Sequence, residues 1–220
     1  MIYNKFLLIS THGLSVVYFY IFLLSLIYSM RIFIAIELSD EIKDTLAQFI
    51  SHLKYAGADV KWVEKNNIHL TLKFLGEITE EKLQKVESAL EIVCGQTAPF
   101  EISLKDIGAF PRIEAPRVIW VGLGKGAREA ANLAKKIDEA LSKLGFQEEA
   151  RPFAAHLTIG RVRSPKNKSA LKDKLTTYNL EFTTKPQSVL SVNLYQSTLT
   201  PKGPIYTKLH EARLISPIPA

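Results

Sequence analysis

Two short segments of the chain pair a histidine with a threonine two residues later: HLTL, beginning at His69, and HLTI, beginning at His156. In a β-strand the side chains at i and i+2 point to the same face, so each imidazole would share a face with a hydroxyl, Thr71 or Thr158. Near neutral pH one imidazole can act as a base while another acts as an acid. This pair suits displacement at phosphorus, with threonine hydroxyls donating hydrogen bonds to the non-bridging oxygens.

The two segments also indicate an internal repeat. They lie 156 − 69 = 87 residues apart, about half of the chain that follows residue 29. Two duplicated lobes facing each other would present both imidazoles and both hydroxyls to one cleft. Strict strand alternation then predicts that Leu70, Leu72 and Phe74 pack behind the first motif, on the face opposite His69.

The motifs must be positioned by strands, and the rest of the chain mixes strands with helices. The order has no regular strand–helix–strand alternation and no glycine-rich phosphate loop, so it favours an α+β fold with antiparallel sheets and helices on one side. We interpret GAFPRIEAPR, residues 108–117, as a turn. The predicted strands cover 31–38, 60–63, 68–75, 100–104, 118–123, 156–162, 180–184, 189–198 and 206–214, and the predicted helices cover 40–55, 79–93, 125–144 and 166–176.

Composition narrows the function classes. The chain has 220 residues, 47% of them hydrophobic and 23% charged, which excludes a disordered chain, a collagen-like fibre and a coiled coil. Cys94 is the only cysteine, which excludes an internal disulfide framework and a cysteine-based zinc site. The other histidines, His12, His52 and His210, form no metal-binding spacing with the motifs, so we expect neither metal nor cofactor. A net charge of +6 suits a partner that carries phosphate.

The N-terminus differs from the rest. Residues 1–29 contain one charged residue, Lys5, and Leu14–Tyr28 is an almost unbroken apolar run. This run is shorter than the roughly 20 residues of a membrane-spanning helix. We interpret residues 1–29 as a dispensable hydrophobic extension and residues 30–220 as the functional, cytoplasmic domain. The alternative is a membrane anchor formed by residues 13–29.

Four segments in order resemble one family, the RNA 2′,3′-cyclic phosphodiesterases, also called 2′-5′ RNA ligases, of the two-histidine phosphoesterase superfamily. They are MRIFIAIEL from residue 30, HLTLKFLGE from 69, GAFPRIEAPRVIWVGL from 108 and RPFAAHLTIGRV from 151. The resemblance implies a bilobal α+β fold, with two pseudo-symmetric lobes whose antiparallel sheets line a central cleft and whose helices lie outside. It also implies metal-independent hydrolysis of a terminal 2′,3′-cyclic phosphate to a 2′-phosphomonoester.

The resemblance also implies roles for individual residues. His69 would donate a proton to the departing 3′ oxygen, His156 would activate water as the base, and Thr71 and Thr158 would hold the phosphate. Arg161 matches a further phosphate-binding position, but strict alternation puts it on the face opposite His156. It can reach the site only if the strand ends or bulges near Gly160.

Several alternatives stay open. The expected partners are RNA or nucleotides with 2′,3′-cyclic phosphate ends, and tRNA is one candidate. A 2′-5′ RNA ligase acting on tRNA halves would use the same groups in reverse, and a non-catalytic RNA- or nucleotide-binding module would not need a matched acid and base. We expect a monomer. Phe74, Phe110 and Phe153 are candidates for a base-stacking face, and residues 161–168, RVRSPKNK, are the candidate basic lip of the cleft.

Overall fold

Two four-stranded antiparallel sheets form the body of the fold. The computed structural model describes residues 29–179, 182–201 and 203–216. The first sheet has the strand order β10-β9-β1-β3 and the second has the order β2-β7-β6-β5, while β4 and β8 form a separate pair. The strands are β1 (Met30–Glu37), β2 (Val60–Trp62), β3 (His69–Ile78), β4 (Phe100–Ile102), β5 (Leu104–Phe110), β6 (Val118–Leu123), β7 (His156–Val162), β8 (Gln187–Val189), β9 (Ser191–Thr200) and β10 (Gly203–Arg213).

Four amphipathic helices accompany the sheets. They are α1 (Asp40–Lys54), α2 (Glu80–Gly95), α3 (Ala127–Ser142) and α4 (Lys168–Asn179). The Ser39 hydroxyl accepts a hydrogen bond from the Ile42 backbone N–H at 3.3 Å, which satisfies one of the unpaired donors at the start of α1. The predicted α+β class is confirmed.

The helices cover the sheet faces that point away from the motif histidines. In the first sheet, Ile32, Ile34 and Leu70 are fully buried and belong to the same core cluster as Leu83 and Val86 of α2. Helices α2 and α3 pack on β10 and β3 respectively, and α4 packs on β5 and on α1. The hydrophobic effect therefore fixes one face of each sheet against helices and leaves the opposite face for polar chemistry.

The chain does not divide neatly at its midpoint. Strand β2 precedes the first motif in sequence but pairs with β7 of the second sheet, and β9 and β10 return from the C-terminal half to pair with β1. Each sheet is therefore completed by strands from the other half of the sequence.

Two sequence predictions about secondary structure were incomplete. The segment interpreted as a turn contains the end of β5, which pairs with β6 from Leu104↔Leu123 to Phe110↔Val118. The strand predicted over 180–184 lies partly outside the described residues, and Thr183 within it forms only an isolated bridge to Lys105. Residues 1–28 lie outside the described residues, as does any structure predicted for them. None of the described helices is long and apolar enough to cross a membrane.

Candidate active site

The first motif lies at the start of β3, where His69 pairs with Glu37 and Thr71 pairs with Ala35 of β1. Because directly opposed residues of an antiparallel pair share a face, His69 and Thr71 lie on one face with Glu37 and Ala35. Leu70 between them is fully buried on the opposite face. The predicted alternation within the motif is confirmed.

A β-bulge directly after this motif changes the alternation. The pairing moves from Ala35↔Thr71 to Ile34↔Lys73, so β3 has one more residue than β1 at this point. Leu72 and Lys73, the two residues of the bulge, are both buried. The next residue, Phe74, consequently returns to the face of His69 and is 67% exposed. The prediction that Phe74 packs behind the motif was wrong, because it assumed an unbroken strand.

The second motif repeats this arrangement in β7. Strand β6 pairs through Gly122↔His156, Trp120↔Thr158, Ile119↔Gly160 and Val118↔Arg161, so Ile159 and Gly160 form a bulge. The bulge brings Arg161 onto the face that carries His156 and Thr158. This is the condition that Arg161 needed in order to reach the site.

Both imidazoles are oriented by their own backbone. His69 Nδ1 lies 2.9 Å from the carbonyl oxygen of Asn67, and His156 Nδ1 lies 2.6 Å from the carbonyl oxygen of Ala154. A carbonyl oxygen only accepts, so each Nδ1 carries the hydrogen, and Nε2 is the nitrogen that can exchange a proton with a substrate. This contact is not predicted by the motifs, although both oxygens lie two residues before the histidine.

Aromatic rings surround His69. Phe33 stacks on it with ring centroids 4.7 Å apart, and the Tyr206 ring meets it edge-on at 5.2 Å. Burial, together with the charge of Lys43, lowers the pKa of His69 to about 4, although the Asn67 hydrogen bond acts in the opposite direction. The free protein therefore holds His69 in its neutral form at neutral pH.

The environment of His156 is more open. Phe110 meets its ring edge-on at 5.1 Å, and Trp120 lies at 6.4 Å. The Trp120 indole lies directly over Gly108, where a Cβ atom would come within 2.1 Å of the ring. A glycine is thus required at this position of β5 so that Trp120 can support the wall beside His156.

A charged network occupies the same face of the first sheet as His69. The Glu37 carboxylate lies 2.8 Å from the Lys208 ammonium and 3.4 Å from the Lys43 ammonium, and it accepts a hydrogen bond from the Tyr195 hydroxyl at 3.3 Å. The hydrogen bond from Lys208, followed by its charge and that of Lys43, lowers the pKa of Glu37 despite partial burial. Lys43 and Lys208 thus share the Glu37 carboxylate as an ion-pair partner.

The two sheets meet at the motif strands. Strands β3 and β7 contact each other. Burial raises the pKa of the Tyr206 hydroxyl, and the positive charge of Arg161 acts in the opposite direction. Tyr206 also contacts His69, so Arg161 of the second sheet acts within the surroundings of the first motif. The two motif strands, one from each sheet, are therefore neighbours in the fold.

The histidines outside the motifs and the candidate aromatic Phe153 lie elsewhere. His210 bonds Glu91 at 2.7 Å on the helix side, and His52 stacks on Tyr178. Phe153 is partly buried against the core, which favours a packing role. Among the described residues, no three histidine, cysteine, aspartate or glutamate side chains are grouped as a metal would require.

Comparison with known proteins gives a consistent result. Residues 36–120 and 121–206 each match the family described as "LigT like Phosphoesterase". The chain is 43% identical over 186 residues to an RNA 2′,3′-cyclic phosphodiesterase of Methanocaldococcus jannaschii, covering 83% of this chain and 99% of that protein. It is 41% identical over 180 residues to an RNA 2′,3′-cyclic phosphodiesterase of Archaeoglobus fulgidus, covering 82% of this chain and 98% of the relative.

Solved structures agree on the fold. TT0787 of Thermus thermophilus superposes with a TM-score of 0.70 at 26% identity, covering 85% of this chain and 99% of that one. Escherichia coli LigT complexed with 3′-AMP superposes with a TM-score of 0.63 at 27% identity, covering 84% of this chain and 98% of that one. The two consecutive family matches coincide with the internal repeat predicted from the two histidine motifs.

Proposed function

The chain belongs to the LigT-like phosphoesterase family, and on this premise we propose that it hydrolyses the terminal 2′,3′-cyclic phosphate of RNA to a 2′-phosphomonoester. The observation that carries the proposal is the duplicated arrangement of a backbone-oriented histidine and a threonine on one strand face. This arrangement occurs once in each sheet, and the two motif strands are in contact. Two histidines in equivalent settings provide the acid and the base that phosphodiester hydrolysis requires.

The proposed reaction assigns one proton transfer to each imidazole. His156 Nε2 removes a proton from water as the water oxygen bonds to phosphorus, and the bond from phosphorus to the 3′ oxygen breaks. His69 Nε2 gives its proton to that departing oxygen. The hydroxyls of Thr71 and Thr158 and the guanidinium of Arg161 stabilise the charge on the non-bridging oxygens.

The donor role requires His69 to gain a proton when substrate binds. Its pKa of about 4 keeps it neutral in the free protein. A bound phosphodiester anion favours the imidazolium form, because an opposite charge within a few ångströms raises the pKa of a histidine. Substrate binding would therefore prepare its own proton donor.

The proposal is tested with His69→Ala and His156→Ala, assayed on a nucleoside 2′,3′-cyclic phosphate with separation of the 2′- and 3′-phosphate products. Each variant should lose at least about 10²-fold in kcat, since general acid–base catalysis contributes 10²–10⁴-fold. His52→Ala, an exposed histidine on α1, is the matched control and should keep wild-type activity. Wild-type turnover in either motif variant would contradict the proposal, and release of the 3′ isomer would contradict the assigned leaving group.

We further propose that the protein acts in the cytoplasm as a monomer, on RNA or nucleotides with 2′,3′-cyclic phosphate ends, with tRNA as one candidate. The exposed cations Lys61, Arg161 and Arg163 support an RNA partner. Cell fractionation of the full chain tests the location, because recovery in the membrane pellet would support the anchor role of residues 13–29 instead.

A further inference from the structure

A row of cations continues from the second motif along β7. Arg161 and its cross-strand partner Lys61 share the face of His156 and Thr158. Arg163 extends the same row, because its backbone N–H donates to the Asp59 carbonyl at 2.8 Å and so continues the pairing of β7 with β2. Same-face residues of a strand are about 6.6 Å apart, so Arg163 follows Arg161 at a regular interval.

These cations differ from those of the first sheet. Lys43 and Lys208 are held by Glu37, as described above. Lys61, Arg161 and Arg163 are exposed, and within the described residues none of them forms an ion pair with a carboxylate. The second sheet therefore offers three exposed cations that form no ion pair with any described residue, beginning at the proposed phosphate site and leading away from His156.

The structure of an RNA with a 2′,3′-cyclic end determines where its other phosphates lie relative to the site. A 2′,3′-cyclic phosphate closes the 3′ end of a strand, so the RNA continues only through the 5′ oxygen of the terminal nucleotide. Once the cyclic phosphate lies between the motifs, the upstream phosphates must leave along one path. The row on β7 and β2 is a path that matches their charge, and binding of phosphates by lysine and arginine dominates the affinity of nucleic-acid contacts.

We propose that Lys61 and Arg163 bind the phosphates of the nucleotides upstream of the cyclic end, so that the protein selects an RNA strand over a mononucleotide. This inference rests on the proposed function. Arg161 acts on the cyclic phosphate itself, whereas Lys61 and Arg163 act only when the substrate has a further phosphate.

The test compares the double variant Lys61→Ala/Arg163→Ala with the wild type on two substrates. One is uridine 2′,3′-cyclic phosphate, and the other is a five-nucleotide RNA with a 2′,3′-cyclic end. The variant should lose about tenfold in kcat/KM on the RNA and stay within about twofold of wild type on the mononucleotide. The slope of log kcat/KM for the RNA against log salt concentration should become shallower by about 1.4, since each single-strand phosphate contact contributes about 0.7.

Two further variants exclude simpler explanations. Lys85→Ala/Arg128→Ala removes the same charge from α2 and α3, on the opposite side of the first sheet, and should leave both substrates unaffected. Lys61→Arg/Arg163→Lys keeps both charges and should retain RNA selectivity. Equal losses on both substrates, or no loss on the RNA, would overturn the inference.

Failure of the proposed function would look different. In that case the wild type would hydrolyse neither substrate, and binding of a fluorescent five-nucleotide RNA would still report on the cation row. An unchanged Kd in Lys61→Ala/Arg163→Ala would then overturn the inference independently of catalysis.

Discussion

Phe74 and Arg161 occupy equivalent positions in the two halves of the fold. Each lies five residues after a motif histidine, since 74 − 69 = 161 − 156 = 5, and each reaches the histidine's face because a bulge follows the motif. The repeated backbone thus supplies an exposed aromatic ring from one sheet and a guanidinium from the other. The first suits a nucleobase and the second suits a phosphate.

The second bulge depends on Gly160. A Cβ atom at this position would lie 2.8 Å from Val60 Cγ1 and 2.9 Å from Trp62 Cε3, so Gly160→Ala should push β2 away from β7. We expect a loss of about 1–3 kcal/mol in the free energy of unfolding, as in other overpacked sites, together with lower kcat/KM as Arg161 moves. Urea denaturation and kinetics measure both effects. Gly95→Ala is the control, because nothing lies within 4 Å of its Cβ position.

The threonines should act through their hydroxyls. Thr71→Val and Thr158→Val keep the shape of the side chain but remove the donor, so each should lower kcat by about 10²-fold, the usual effect of deleting one oxyanion donor. Thr71→Ser should retain most of the activity. Thr177→Val, on an exposed turn of α4, should change nothing. Equal activities of the serine and valine variants would show that the hydroxyl is not required.

His69 should titrate well below an ordinary histidine. In the free protein its imidazole protons, followed by NMR and assigned with His69→Asn, should report a pKa of about 4 because burial disfavours the charged ring. Inorganic phosphate bound in the cleft should raise that pKa, since an anion stabilises the imidazolium. A pKa near 6.5 without phosphate, or no change on adding it, would contradict both the burial argument and the proposed recruitment of the proton donor.

The same shift predicts acid sensitivity. The pKa of His69 is lower in the folded chain, about 4, than the 6.5 of an exposed histidine, so the unfolded state binds more protons between these values. The free energy of unfolding should therefore fall as the pH is lowered from 6.5 to 4, by on the order of 3 kcal/mol from this residue. Denaturation of His69→Asn across this range should show a smaller decrease than the wild type, whereas His52→Asn should follow the wild type. Parallel curves for His69→Asn and the wild type would refute the attribution.

Lys73, a residue of the first bulge, bonds to α3 and to the loop between α3 and the second motif. Lys73 is 4% exposed. Its ammonium forms an ion pair with Asp138 of α3 and donates a hydrogen bond to the Gln147 carbonyl oxygen at 2.9 Å. Asp138→Ala leaves a buried cation with no carboxylate partner and should lower the free energy of unfolding by about 3–5 kcal/mol. Lys73→Met removes the charge and fills the space, so thermal or urea unfolding should show a smaller loss. The reverse order would contradict this explanation.

The sequence predicted the family and the fold class better than the strand faces. Strand β7 has the predicted bounds, His156–Val162, because its apolar alternation is local information. The bulges depend instead on which residues of a neighbouring strand lie opposite. The pairing of Ile34 with Lys73 and of Ile119 with Gly160 cannot be deduced from β3 or β7 alone. This is why strict alternation puts Phe74 on the wrong face and makes the position of Arg161 depend on a bulge.

Strand β5 was overlooked for a related reason. Its composition resembles a turn, with Gly108 in the strand and Asp106 at a left-handed φ of 64°. The glycine is required for the close approach of Trp120, and Asp106 lies where the pairing of β5 with β6 shifts by one residue. Both features are consequences of tertiary contacts, so the local composition predicts a turn where the structure has a strand.

The exchange of strands between the two halves has a mechanical consequence. Within the described residues, the chain passes between the two four-stranded sheets four times, between β1 and β2, β2 and β3, β3 and β5, and β7 and β9. A bilobal protein with a single crossing can swing open about one hinge, but here such a rotation would have to distort four connections at once. Four connections thus hold the two motif strands in register, and a substrate would spend little of its binding energy in bringing them together.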